Sequence, residues 1–180
     1  MKRKLLIGCG GLMAVHLLAL AGLLAYGAAQ PKDHVAVSQA RFGKPPAEVF
    51  ERLADFEGWP SWNRSVKAIE RAGDVGGKPC WTVTGDFGEM PIVIEEVEAP
   101  ARLVTRIPAD AGLGFSGTWT YEVAPAEGGG TTLAIREEGH VDSALFRAFG
   151  ALLMDPHDTM NALLRDLGAS FGETTVPEER

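Results

Sequence analysis

Gly117-Thr118-Trp119-Thr120-Tyr121-Glu122-Val123-Ala124-Pro125, continued through the turn Gly128-Gly129-Gly130 into Thr131 to Val141, is the stretch that decides the fold. Side chains alternate between apolar and polar along both arms, as they do in strands with one buried face. The alternation places Trp119, Tyr121 and Val123 on one face, opposite Leu133, Ile135 and Glu137. That face is apolar and aromatic until Glu137, where a carboxylate points inward. A sheet face of this kind must be covered by another element.

The cover follows directly in the chain. Asp142-Ser143 offers a helix N-cap, and from Phe146 through Phe149, Leu153, His157, Met160 and Leu164 to Phe171 the apolar residues recur at spacings of three and four. The pattern predicts a long amphipathic helix with one apolar seam. Pro156 removes a backbone donor inside it, so a kink or break is expected there. Gly172 ends the helix, and residues 174–180 read as a polar, mobile tail.

Upstream of the hairpin, Val35, Val37 and Phe42 suggest a first strand, and Pro45-Pro46 then opens a short helix over Ala47 to Ala54 with Val49, Phe50 and Leu53 on one stripe. Gly58-Trp59-Pro60-Ser61-Trp62-Asn63 reads as a second helical turn, in which the two tryptophans three residues apart share a face. Strands are expected over Val66–Arg71, Lys78–Thr84, Met90–Ala99 and Arg102–Ile107, with Gly-, Pro- and Asp-rich breaks between them. The phase of the third is open, because Ile92-Val93-Ile94 is apolar on both faces.

The N-terminus is a separate segment. Met1-Lys2-Arg3-Lys4 precedes Leu5 to Ala29, a run without a charged residue, and about 20 apolar residues suffice to cross a bilayer as a helix. Basic residues ahead of such a run keep the N-terminus cytoplasmic, so the rest of the chain is expected to face outward, in the periplasm or outside the cell. The length favours a retained single-pass anchor over a signal peptide; Gly27-Ala28-Ala29 supplies a small-x-small site, and secretion after cleavage is the alternative. The division read from the sequence is therefore 1–30 anchor or signal, 31–173 domain and 174–180 tail.

The 180 residues carry 24 Asp+Glu against 17 Lys+Arg, a formal net charge of −7, and three of the basic residues, Lys2, Arg3 and Lys4, belong to the anchor. An acidic domain repels phosphate backbones, which argues against nucleic acid as a partner. Of the two cysteines, Cys9 lies in the apolar run, so Cys80 reads as a small strand residue rather than half of a disulfide.

The order of one strand, two short helices, a run of antiparallel strands and a C-terminal helix resembles the polyketide cyclase/dehydrase branch of the START-like (SRPBCC) superfamily. Two stretches carry the likeness: Val49-Phe50-Glu51-Arg52-Leu53-Ala54-Asp55-Phe56-Glu57-Gly58-Trp59-Pro60-Ser61-Trp62-Asn63, and Gly117 to Tyr121 followed by Gly129 to Leu133, Glu138 to Val141 and Phe146-Arg147. The resemblance spans roughly Val35 to Glu173. It implies an α+β helix-grip (START/Bet v 1-like) fold, a curved antiparallel sheet around a long C-terminal helix with a deep apolar cavity between them. Members of that superfamily bind lipids, sterols or polyketides, and some catalyse cyclisation or dehydration; the fold alone does not choose among these.

The residues expected to line such a cavity are Trp59, Trp62, Trp81, Trp119, Tyr121, Ile135, Glu137, Leu153, His157 and Met160. Trp59 and Trp62 either gate its mouth with the loop Pro108 to Gly114 or seal the short helices onto the sheet. Glu137 and His157 are the weak candidates for acid–base chemistry: a buried carboxyl holds its proton to higher pH, and imidazole exchanges protons readily. Asp155, His157 and Asp158 have the composition of a metal site but point in different directions around a helix, and no cofactor motif is present. The expected activity is membrane-tethered binding of a hydrophobic small molecule or lipid, with a cyclase- or dehydratase-like enzyme as the alternative.

Overall fold

Hairpin chemistry and strand alternation build most of the molecule. In the computed structural model, residues 2–85 and 88–180 are described, with side chains from Val15 onward. Helix α1 (Lys2–Ala29) is followed by strand β1 (Asp33–Phe42), helix α2 (Pro46–Ala54), a 3-10 turn (Phe56–Ser61) and strands β2 (Val66–Val75), β3 (Lys78–Gly85), β4 (Gly88–Glu98), β5 (Arg102–Ile107), β6 (Phe115–Pro125) and β7 (Thr131–Val141). Helices α3 (Ala144–Leu153) and α4 (Asp158–Ser170) and a two-residue strand β8 (Glu178–Glu179) complete the chain. The chain forms two units: residues 33–140 with 156–180, and residues 1–32 with 141–155.

The larger unit is an eight-stranded sheet in the order β2-β3-β4-β5-β6-β7-β1-β8. Strands β2 to β6 pair antiparallel in succession, and β1 pairs antiparallel with β7 in the register Ala36↔Glu137, Ser38↔Ile135, Ala40↔Leu133. The β2–β3 turn is Gly76-Gly77, with φ of 60° and 78°; a two-residue turn that follows the twist of the strands needs positive φ at both positions, which glycine adopts without strain. Register shifts at Arg71/Gly73 on β2 and at Ile94/Glu96 on β4 insert bulges that bend the sheet. The second lies beyond Ile94, and ahead of it plain alternation sets the phase of β4. Ile92 and Ile94 pack with the inner core, whereas Val93 is buried beside Cys80 on the other face, near the cluster of Glu95 with Lys78 and Arg106.

One face of the sheet is covered by α2, the 3-10 turn and α4. Val49, Phe50 and Leu53 of α2 are buried, as their spacing requires. Phe56, Trp59, Trp62 and Trp81 form a run of ring contacts with centroids 5.0 to 6.0 Å apart, and the Trp59 indole donates to the Leu53 carbonyl at 2.9 Å. Helix α4 buries Met160, Leu163, Leu164 and Leu167. It approaches β1, whose inward residues Ala36, Ser38 and Ala40 are small and fully covered. Asp166 on α4, 2 % exposed, accepts from the Arg64 backbone N–H at 2.8 Å and from its guanidinium at 2.7 and 2.6 Å, which fastens the helix to the loop before β2.

The long C-terminal helix expected from the sequence is two helices. Pro156 has no N–H to continue the ladder and disfavours helical geometry in the residue before it, so the chain leaves α3 at Met154, whose ψ of 138° is extended, and re-enters α4 at Asp158. The apolar seam is divided with it. Its C-terminal half fills the core of the sheet unit, while Phe146, Phe149 and Leu153 lie on α3 in the smaller unit and are exposed. The tail read as mobile is paired instead: Glu178 and Glu179 lie against Gln39 and Ser38, the Arg180 N–H donates to Val37, and Asn161 donates to Glu179 at 2.9 Å.

In the smaller unit α3 packs on α1, with Ala148 fully buried and Gly27 so close to Ala144 that a Cβ there would strike its carbonyl. Among the described residues no helix is long and apolar enough to cross a membrane; the side chains of Leu5 to Ala14, which belong to the expected span, lie outside them.

Leu164→Ala removes a fully buried side chain from the face of α4 that closes the sheet. We expect a loss of about 2–5 kcal/mol, measured by urea unfolding followed through tryptophan fluorescence.

Candidate functional site

The inner face of the sheet changes character along the strands. At one end it is dry: Leu103, Tyr121, Val123, Leu133 and Ile135 are buried among the helices. Toward the other end the same alternation brings Ile107, Trp119, Glu137 and His34 to the inner face, and all four are only partly covered. Cross-strand pairing sets this arrangement, with Thr105 opposite Trp119, Leu103 opposite Tyr121 and Ala36 opposite Glu137.

Glu137 is the polar centre of that end. Its side chain is 21 % exposed, and one carboxylate oxygen lies 3.6 Å from Nε2 of His34. The Trp119 indole N–H is hydrogen-bonded to it, and the His157 imidazole at the start of α4 acts on it electrostatically. Burial dominates and raises its pKa above the ordinary carboxylate value; His34, the Trp119 hydrogen bond and His157 oppose that shift without cancelling it. Next to it Trp119 and Tyr121 meet with ring centroids 6.0 Å apart. The Tyr121 hydroxyl is hydrogen-bonded with Thr105, and burial, reinforced by the Glu137 charge, keeps it protonated far above its usual range.

No motif marks His34, the second residue of β1. The signal lies in its partner. Gly139 stands opposite His34 in the ladder, and a Cβ on Gly139 would collide with the imidazole ring. Glycine there leaves room for the ring against the strand, from which Nε2 reaches Glu137. The group offers a carboxyl that holds its proton to higher pH, an indole donor and two imidazoles beside an aromatic wall. It can hydrogen-bond one polar group of an otherwise apolar molecule, or pass a proton to it.

The other expected lining residues are distributed. Trp119, Tyr121, Ile135 and Glu137 share one face as read from the sequence, and Trp81 and Met160 pack with the same core, Trp81 partly exposed and Met160 fully covered. His157 comes within electrostatic reach of Glu137 and lies 3.9 Å from Glu179. Trp59 and Trp62 are buried in the aromatic run beneath the 3-10 turn, so of the two roles considered for them the sealing one fits their position. Leu153 is 76 % exposed on α3 and belongs to the other unit. The spacing that groups it with the cavity runs on across the break expected at Pro156, and spacing does not show that the two halves belong to different units.

The raised pKa of Glu137 has a sign for stability. The folded protein holds that proton more tightly than the unfolded chain, so the contribution of Glu137 is fully present below the ordinary value of 4.5 and is lost as pH rises through the folded value. Glu137→Gln removes the titration. We expect its melting temperature to fall less than that of the parent as pH rises above 4.5, as followed by differential scanning fluorimetry. Gly139→Ala displaces His34 and withdraws one of the influences that oppose the shift, so the Glu137 carboxyl should titrate at higher pH than in the parent, as read by carbon-13 NMR.

Comparison with known proteins accords with this architecture. Residues 34–167 match the family described as "Polyketide cyclase / dehydrase and lipid transport". A START superfamily protein from Mycobacterium smegmatis superposes with a TM-score of 0.59 at 13 % identity, covering 76 % of this chain and 96 % of that one. Norcoclaurine synthase from Thalictrum flavum superposes with a TM-score of 0.62 at 12 % identity, covering 83 % and 91 %. The di-domain ARO/CYC BexL from the BE-7585A biosynthetic pathway gives 0.54 at 13 % identity, covering 92 % of this chain and 54 % of that one. At such identities these likenesses concern the fold. A comparison with curated proteins found no match. The eight-stranded sheet gripping α4 and the match over residues 34–167 together establish that the chain belongs to the polyketide cyclase / dehydrase and lipid transport family, with a START-like helix-grip fold.

Proposed function

We propose that the sheet unit binds a hydrophobic small molecule or lipid against its inner face, held to the membrane by the N-terminal helix with the domain outside the cytoplasm. One observation carries the binding reading above the others: the inner face is apolar and aromatic, fully packed at the Leu133–Ile135 end and only partly covered at the Trp119–Glu137 end. An apolar face left partly uncovered, with few polar groups converging on it, has the composition of a ligand site. The family description names lipid transport and cyclisation or dehydration together, and the site suits the first with no further assumption. The tether rests on the uncharged run Leu5 to Ala29 behind three basic residues.

One observation favours catalysis as a second reading. Glu137 holds its proton above the usual carboxylate range within reach of two imidazoles, an arrangement suited to moving a proton to and from a bound polyketide-like substrate. The two readings separate on one variant. Glu137→Gln leaves the aromatic wall intact, so it should retain ligand uptake under both and abolish turnover under the second.

The direct test is organic-solvent extraction of the purified full-length protein followed by mass spectrometry, with uptake of a lipophilic fluorescent probe by the extracted protein. We expect a co-purifying apolar molecule and saturable probe binding. Trp119→Ala should weaken probe binding about tenfold, or ~1.4 kcal/mol, whereas Thr120→Ala, on the opposite face of the same strand, should leave it unchanged. Protein that carries nothing and takes up no probe would exclude the reading.

A further inference from the structure

Helix α3, with the sequence Ala144-Leu145-Phe146-Arg147-Ala148-Phe149-Gly150-Ala151-Leu152-Leu153, is apolar apart from Arg147. Its surface is divided. Ala144 and Ala148, one turn apart, meet α1 at Gly27, and at that contact the small side chains let the two helices approach closely. The opposite face presents Phe146, Phe149 and Leu153, with Leu152 on its flank and Met154 just beyond the helix, all exposed. A contiguous apolar face of this kind in contact with water is costly, and large exposed apolar patches mark interaction surfaces.

Two features on the same unit say what covers it. The partner of α3 is α1, which upstream of the Gly27 contact carries Val15, Leu17, Leu18, Leu20 and Leu24 as exposed apolar side chains, so the apolar surface of α3 adds to one already present on α1. Arg147, the one charged residue of α3, turns its guanidinium away from the apolar face. Nε donates to the Gly27 carbonyl at 2.9 Å, and Nη1 donates to the carbonyls of Val141 and Asp142 at 2.9 and 2.7 Å. These are carbonyls at the end of α1 and just before α3, where a helix and its flank leave acceptors without helical donors. Charge in an apolar phase is tolerated when it is paired inward in this way. The Lys32–Asp142 ion pair, at 3.0 Å, closes the polar side of the same corner.

We infer that α3 is a membrane-embedded element: its Phe146–Leu153 face lies among lipid acyl chains at the interface beside α1, so that the chain holds the bilayer at two places rather than one. The inference rests on the reading of α1 as a membrane tether and adds a second element to it. A helix in the interfacial plane buries its apolar face at the boundary of headgroups and acyl chains; here the side facing away from lipid is occupied by α1 and by the Arg147 hydrogen bonds.

The test uses the full chain with Cys9→Ser, leaving Cys80, which is 1 % exposed and out of reach of labelling. An environment-sensitive fluorophore is attached at Leu153→Cys, at Phe149→Cys on the same face, or at Glu70→Cys on the exposed surface of β2, and each protein is reconstituted into phosphatidylcholine vesicles containing doxyl-labelled acyl chains. We expect the chain to resist carbonate extraction, and the labels at 153 and 149 to be blue-shifted and quenched several-fold more than the label at 70. Retention in the membrane with equal quenching at all three positions would overturn the embedding of α3 while leaving the α1 tether standing. Removal by carbonate would overturn both. Unquenched labels, together with a 153–153 disulfide between chains formed on oxidation of the unlabelled Leu153→Cys protein, would assign the face to a second copy, and would overturn the inference equally.

Discussion

The seating of α4 on β1 is the constraint on which the rest of the sheet unit depends. Three consecutive inward positions of β1 carry Ala36, Ser38 and Ala40, and with no bulk between them the helix comes down onto the strand. Asp166 then fixes the other flank through Arg64. With the helix held at both flanks, Met160, Leu164 and Leu167 are committed to the Leu133–Ile135 end of the sheet. Each such side chain contributes roughly 1.5–3 kcal/mol by leaving water. The end bearing Trp119, Glu137 and His34 is covered less completely, and it is there that polar groups gather.

Legibility of the sequence followed the range of the interactions involved. The hairpin Phe115–Val141, the stripe Val49-Phe50-Leu53 and the inward phase of Glu137 were readable because period and turn chemistry are local properties. Four features were not. The division of the C-terminal helix was foreseen at Pro156, but periodicity cannot say that the two halves go to different units, since each half is amphipathic by itself. The pairing of Glu178 and Glu179 with β1 depends on a free strand edge more than a hundred residues upstream. The phase of Ile92-Val93-Ile94 depended on which face of β4 meets the core, which a run apolar on both faces does not reveal. His34 needed knowledge of the residue across the ladder, because only the juxtaposition with Gly139 shows why an imidazole can lie there.

Trp59, Trp62 and Trp119 illustrate how one residue type serves two purposes. Trp59 and Trp62 sit under the 3-10 turn and hold it against Phe56 and Trp81; their value lies in area removed from water. Trp119 is partly exposed and uses its N–H on Glu137, which orients a carboxyl that burial alone would leave undirected. The distinction is one of position along the sheet, and composition does not reveal it.

The two margins of the sheet are treated differently, and this bears on how readily a second chain can pair with them. An unpaired strand offers a row of donors and acceptors to any neighbouring chain. On the β1 side the short strand β8 occupies part of that row, backed by the Arg180–Val37 hydrogen bond. On the β2 side no further strand is paired among the described residues, and the margin instead carries two breaks in register, a left-handed glycine at Gly73 and the charged residues Lys67, Glu70 and Asp74. A strand so bent and charged is a poor template for a second sheet. Both margins thus offer few open backbone groups for a second chain to pair with.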